Sequence, residues 1–91
     1  MSSRLHSKLG GQWTKYQVQL AGRGYISYVD TLKEAREIAI DGVTRLHVSA
    51  AYILRMSKET RKNYQGIRVP NYDDFEKYFM EYGKVVVRKR W

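Results

Sequence analysis

Asn71-Tyr72-Asp73-Asp74-Phe75-Glu76-Lys77-Tyr78-Phe79-Met80-Glu81-Tyr82-Gly83 is the stretch on which the fold turns. Its aromatic residues fall at 72, 75, 78, 79 and 82, the three-to-four spacing that lines one side of an α-helix. Pro70 stops what comes before, Asn71 suits an N-cap, and Asp73 and Asp74 suit the positive end of a helix. Gly83 suits the exit. The segment predicts a helix whose aromatic stripe is core.

The rest of the chain is read outward from it. Thr31-Leu32-Lys33-Glu34 has the capping-box pattern of a helix start, and Leu32, Ala35, Ile38, Ala39 and Val43 give that helix an apolar stripe. Its end is either Gly42 or about Leu46, so residues 43–50 are open between helix and strand. Before it, residues 12–20 alternate, with Tyr16, Val18 and Leu20 on one side and Trp13, Lys15, Gln17 and Gln19 on the other. Gly22-Arg23-Gly24 then makes a tight turn into a second strand, Tyr25–Val29. After the helix, Leu46, Val48, Ala50, Tyr52, Leu54 and Met56 share one strand face, more securely in the later half. Residues 57–65 are polar and read as a loop. Gly66–Val69 is a short strand open to pairing with 51–56, and Val85-Val86-Val87 lies in a last strand. The expected order is β-β-α-β-β-α-β: an α+β domain with a mainly antiparallel sheet and two helices packed on one face. This has ferredoxin-like character with an added N-terminal strand. Segments 25–43 and 67–85 echo one another loosely, each running strand, cap, helix and Gly. Residues 1–10, with three Ser and no periodicity, are expected to be a flexible basic arm on a single domain spanning 11–91.

Ninety-one residues support one modest core. Cysteine is absent, so neither a disulfide nor a thiolate site is available. The longest apolar run, residues 50–54, is far short of a membrane span, and residues 1–8 lack the apolar centre of a secretory signal. A cytoplasmic protein without a membrane partner is the expectation. The net charge of +8 is unevenly spread. Residues 1–29 hold four bases and no acid, 46–71 hold five bases against Glu59, and 84–91 hold four bases. Acids gather in 30–45 and 72–83, the two segments with helical spacing.

Little in the chain suggests catalysis. His6 and His47 stand apart without Cys, and Gly22-Arg23-Gly24 lacks the length of a phosphate-cradling loop. Asp73 and Asp74, like Glu34, Glu37 and Asp41, are explained by capping and solvated charge. No enzyme, metal or cofactor is expected. The basic segments carry a different message. Arg55, Lys58, Arg61, Lys62, Tyr64 and Arg68 interleave cations with an aromatic ring, which suits phosphates and base stacking. Trp13, on the polar side of its strand beside Lys15, either stacks on a base or packs under the arm. A nucleic-acid-binding module is therefore the leading expectation. Lys15, Arg23, Arg55, Lys58, Arg61, Lys62, Arg68, Arg88 and Arg90 would meet phosphates, and Trp13 and Tyr64 bases or sugars. Duplex DNA is favoured over RNA because a two-stranded ribbon fits a major groove. The alternatives are an inhibitor or adaptor docking on an acidic protein surface, and a charge-neutralising part of a nucleoprotein particle.

Three resemblances accompany this reading. Trp13, the Gly turn, Tyr25-Ile26-Ser27-Tyr28 and Asp30-Thr31-Leu32-Lys33-Glu34-Ala35 resemble Apetala-type domains and the arm-binding domains of phage integrases. That likeness implies a sheet laid in a DNA groove, with Trp13, Lys15, Gln17 and Arg23 at the DNA. It covers about a third of the chain and lacks the family's first strand. Residues 25–90 resemble an RNA-recognition motif, with 25–29 and 61–69 as its first and third strands, although 61–69 lacks the run of aromatics. The β-β-α-β order with Thr31-Leu32 and Glu34-Ala35 is similar to a small phage inhibitor of bacterial RNA polymerase. The three point in different directions, and no family is assigned from them.

Overall fold

Residues 14–89, apart from the side chain of Tyr25, are described by a computed structural model. The strands are β1 (Tyr16–Leu20), β2 (Tyr25–Val29), β3 (Ala51–Lys62), β4 (Arg68–Glu81) and β5 (Lys84–Lys89), and the helix is α1 (Leu32–Thr44). They build one antiparallel sheet in the order β2-β1-β3-β4-β5. The α+β class holds. The element order is β-β-α-β-β-β, with a single helix among the described residues rather than two.

The first half follows its sequence signals. Thr31 caps α1, its hydroxyl oxygen accepting from the Glu34 N–H at 3.2 Å. Ala35, Ala39 and Val43 are buried against Val18, Leu20, Val29, Ala51 and Ile53 of the sheet. Each fully buried Val or Ile contributes roughly 1.5–3 kcal/mol relative to exposure. The helix lies so close to β1 that a Cβ on Gly42 would stand 2.6 Å from Leu20 Cδ2. Gly42 therefore serves a close approach and does not end the helix, which runs to Thr44. Residues 45–50 then form a connection with His47 at φ 58°, and the strand face predicted from Leu46 begins only at Ala51.

The second half corrects the opening expectation. Asn71–Glu81 is not helical; it belongs to β4, a strand of 14 residues. Ile53 pairs with Glu76 but Leu54 with Asp74, leaving Phe75 as the extra residue of a β-bulge. The bulge brings Phe75 to the helix side together with Tyr78, where both pack on the core. A three-residue spacing thus arises inside a strand. Asn71, Asp73 and Asp74 cap nothing, and the acidic segment 72–83 is a strand and turn. Tyr82 and Gly83, with φ of 52° and 75°, form the two-residue turn between β4 and β5. Residues 57–62, expected in a loop, extend β3. Of the short strand expected at Gly66–Val69, Gly66 and Ile67 belong to a turn, while Arg68 and Val69 open β4, which continues through Pro70. Residues 68–70 pair with Thr60–Lys62 instead of residues 51–56.

β4 is tied to α1 by a buried acid. Glu76 takes two hydrogen bonds from Arg36, at 3.1 and 2.8 Å, and one from the Tyr78 hydroxyl at 2.8 Å. Burial drives the Glu76 carboxyl towards its neutral form, but the bonds from Arg36 and Tyr78 outweigh it and hold its pKa below the usual value. The other side of the sheet carries no helix among the described residues. No helix among them is long and apolar enough to cross a membrane.

Candidate nucleic-acid interface

β3 and β4 outgrow the sheet. β1 pairs with β3 only across Ala51–Arg55, and β5 pairs with β4 only across Glu76–Glu81. Beyond Met56 and Tyr72 the two strands pair with each other alone, through Thr60–Pro70, Arg61–Val69 and Lys62–Arg68. Over this span β3 runs from Met56 to Lys62 but β4 only from Tyr72 to Arg68, about 13 Å at the usual rise per residue. Lys58, Arg61, Lys62 and Arg68 are exposed along it, against one acid, Glu59. The Arg68 guanidinium donates to the Thr60 hydroxyl oxygen at 2.6 Å, which steadies it across the strands.

The ribbon ends in a turn built by Asn63. Its carbonyl accepts from the Gly66 N–H at 2.9 Å, and its own N–H donates to the Ile67 carbonyl at 3.0 Å. Its side-chain oxygen accepts from the N–H groups of Gln65 and Ile67 at 2.9 and 3.0 Å. Gly66 supplies the left-handed residue, at φ 79°, that such a loop needs. The turn holds Tyr64 at 95% exposure and Ile67 at 56%.

The remaining sequence candidates divide. Lys15 is exposed at the ribbon end of the sheet, where its carbonyl accepts from the Met56 N–H at 2.8 Å. Arg55 lies across from Asp73, its guanidinium 4.9 Å from the centre of the Phe75 ring, so it completes packing. Arg23 is at the opposite end of the sheet and donates to the Leu46 carbonyl at 3.1 Å. Arg88 lies 5.7 Å over Phe79, opposite Lys77, which approaches both Phe79 and Tyr52. These belong to the helix-free side of the sheet, not to the ribbon. The expected basic arm 1–10, Trp13, Arg90 and Trp91 lie outside the described residues.

The structure therefore unites Lys58, Arg61, Lys62, Tyr64 and Arg68 on one arm, with Lys15 near its base. Sequence reasoning missed Asn63 and Ile67, although the Asn63-Tyr64-Gln65-Gly66 order was the available turn signal. Gln17 and Tyr28 of the sheet line a cleft of about 310 Å³ together with Arg61, Asn63, Val69, Pro70 and Tyr72, so the ribbon bends back over the sheet as far as its end turn. The Tyr72 hydroxyl donates to the Thr14 carbonyl at 2.8 Å, and burial pushes its pKa up, so it stays a neutral donor. Among the described residues no three His, Asp or Glu side chains gather as metal ligands. Compared with known proteins, the chain matches no family model, no curated protein and no solved structure.

Proposed function

We propose that the chain is a small nucleic-acid-binding module that lays its β3–β4 ribbon against a duplex, with DNA favoured over RNA. One observation carries the reading: a two-stranded arm that runs past its neighbours in the sheet gathers four exposed cations and a bare tyrosine against a single acid. Pro70 of the arm is buried and Val69 half-buried, while Lys58, Arg61, Lys62, Tyr64 and Arg68 are exposed and available to a partner. Its cations are spaced along two strands, which suits the phosphates on either side of a groove. The B-form major groove, about 12 Å wide, admits a two-stranded ribbon, whereas the A-form groove of RNA is deep and narrow.

A fluorescence-anisotropy titration against duplex DNA, single-stranded DNA and hairpin RNA, at several salt concentrations, tests this. Four phosphates neutralised by Lys58, Arg61, Lys62 and Arg68 would give a slope of log affinity on log salt of about −3 to −4 on duplex DNA. Arg61→Glu with Lys62→Glu should abolish that binding. No binding near 100 mM salt (roughly the concentration at which generic charge effects fade) would overturn the reading and turn attention to an acidic protein surface. Equal, weak binding to all three ligands would also overturn it, reducing the charge to generic neutralisation.

A further inference from the structure

The geometry points to the ribbon tip as a wedge: Tyr64 and Ile67 enter the base stack, so the arm selects duplexes that are easily kinked or already interrupted. This rests on the ribbon reading and names the kind of duplex the site takes.

Among the described residues nothing covers these two side chains. Tyr64 and Ile67 are among the exposed large apolar residues, and they sit in the turn that ends the arm. A single exposed apolar residue is ordinary, but an aromatic and a β-branched residue held out together at a tip are a contact in search of a partner. The turn is built to hold them. Four hydrogen bonds converge on Asn63 within five residues, so little further ordering is needed on insertion.

The charges fit the same partner. Lys62 and Arg68 pair across the ribbon just behind the tip, and Arg61 pairs with Val69 one step further back. Cations flanking an apolar point match the arrangement of a base step between two phosphate backbones. Stacking one aromatic ring on a base is comparable in size to unstacking one step. A stiff step therefore resists the tip, while a pyrimidine–purine step or an unpaired base yields to it. Selectivity for distortable duplexes follows from that balance.

The test uses the full chain and its Tyr64→Ala, Ile67→Ala double variant; both positions are exposed, so the variant keeps the fold. Two DNA duplexes of equal length, one uninterrupted and one with a single unpaired base, carry a donor and acceptor dye at their ends. The wild type should bind the interrupted duplex about tenfold more tightly and raise energy transfer as the duplex bends. The double variant should lose both effects while keeping its salt slope within about one unit, because the phosphate contacts remain. Binding by the wild type with that slope, but with no preference and no change in energy transfer, would overturn the wedge and leave the ribbon reading standing. A double variant that still bends and prefers the interrupted duplex would overturn it equally. Failure to bind either duplex would overturn both readings together.

Discussion

Arg36 on α1 and Glu76 on β4 meet in a two-pronged ion pair, with Nε to Oε1 at 3.1 Å and Nη2 to Oε2 at 2.8 Å. The Arg36 side chain is 42% exposed and the Glu76 side chain 1%, so the acid is desolvated while its partner keeps contact with water. This pair is the polar link between the helix and the strand that continues into the arm.

Removing the cation should therefore be costly. Breaking a buried pair typically costs about 3–5 kcal/mol, and water reaching the Arg36 side should soften this to about 2–4 kcal/mol for Arg36→Met. The double variant Arg36→Met, Glu76→Leu should recover much of the loss, because no buried charge is then stranded. Urea unfolding with unchanged m values checks both.

The same cluster sets a pH dependence at each end. Glu76 has a folded pKa below its ordinary 4.5, so its contribution is complete above that pH and fades as pH falls towards the lowered value. Burial first, and then the bond to Glu76, push Tyr78 from 10.0 up to about 12. Its contribution is complete below pH 10 and is lost as pH rises towards 12. Relative to wild type, Glu76→Gln should flatten the acid limb of a stability–pH curve, and Tyr78→Phe the alkaline limb.

Two arginines should separate stability from binding. Arg23→Ala removes the bond to the Leu46 carbonyl and should cost about 0.5–1.5 kcal/mol, with duplex affinity within about twofold of wild type. Arg61→Ala should do the reverse, leaving stability within about 0.5 kcal/mol and reducing the salt slope by about one. Thermal unfolding and anisotropy titration of the same preparations decide this.

Asn63→Ala should loosen the tip without unfolding the sheet. It removes the acceptor for the Gln65 and Ile67 amides, so their hydrogen exchange should quicken by about tenfold or more. Amides of Val18 and Ile53, in the core, should keep their protection.

Local signals with a local cause could be read from the sequence. The Thr31–Glu34 cap, the Ala35–Ala39–Val43 stripe and the β1–β2 hairpin each depend on neighbours a few residues apart. The aromatic segment failed because its spacing has two physical sources. A bulge at Phe75 places residues 75 and 78 on one side of a strand, while Tyr72 and Phe79 face the other side and Tyr82 stands in a turn. Nothing within residues 71–83 distinguishes this from a helical stripe, because the bulge is fixed by pairing with Ile53 and Leu54, some twenty residues away. The arm was hidden for the opposite reason. Residues 58–62 are all exposed and a register slip interrupts them, so they show no alternation even though they are a strand. The candidate site was half legible: charge and ring at 58, 61, 62, 64 and 68 were visible, but the structural engagement of Arg23 and Arg55 depends on distant partners.

The strands of the arm are also the central strand of the sheet and its neighbour, with no linker between. A push at Tyr64 travels along two backbones to Ile53 and Tyr78, as along a lever whose short end is clamped in the core. Beyond the bulge at Phe75, its irregular joint is the register slip between Met56 and Thr60, where Ser57, Lys58 and Glu59 stand against Asn71. Stiffening that joint would make the tip a rigid probe, and loosening it would make it a tether; the reach and force of the arm are set there, away from both the tip and the core.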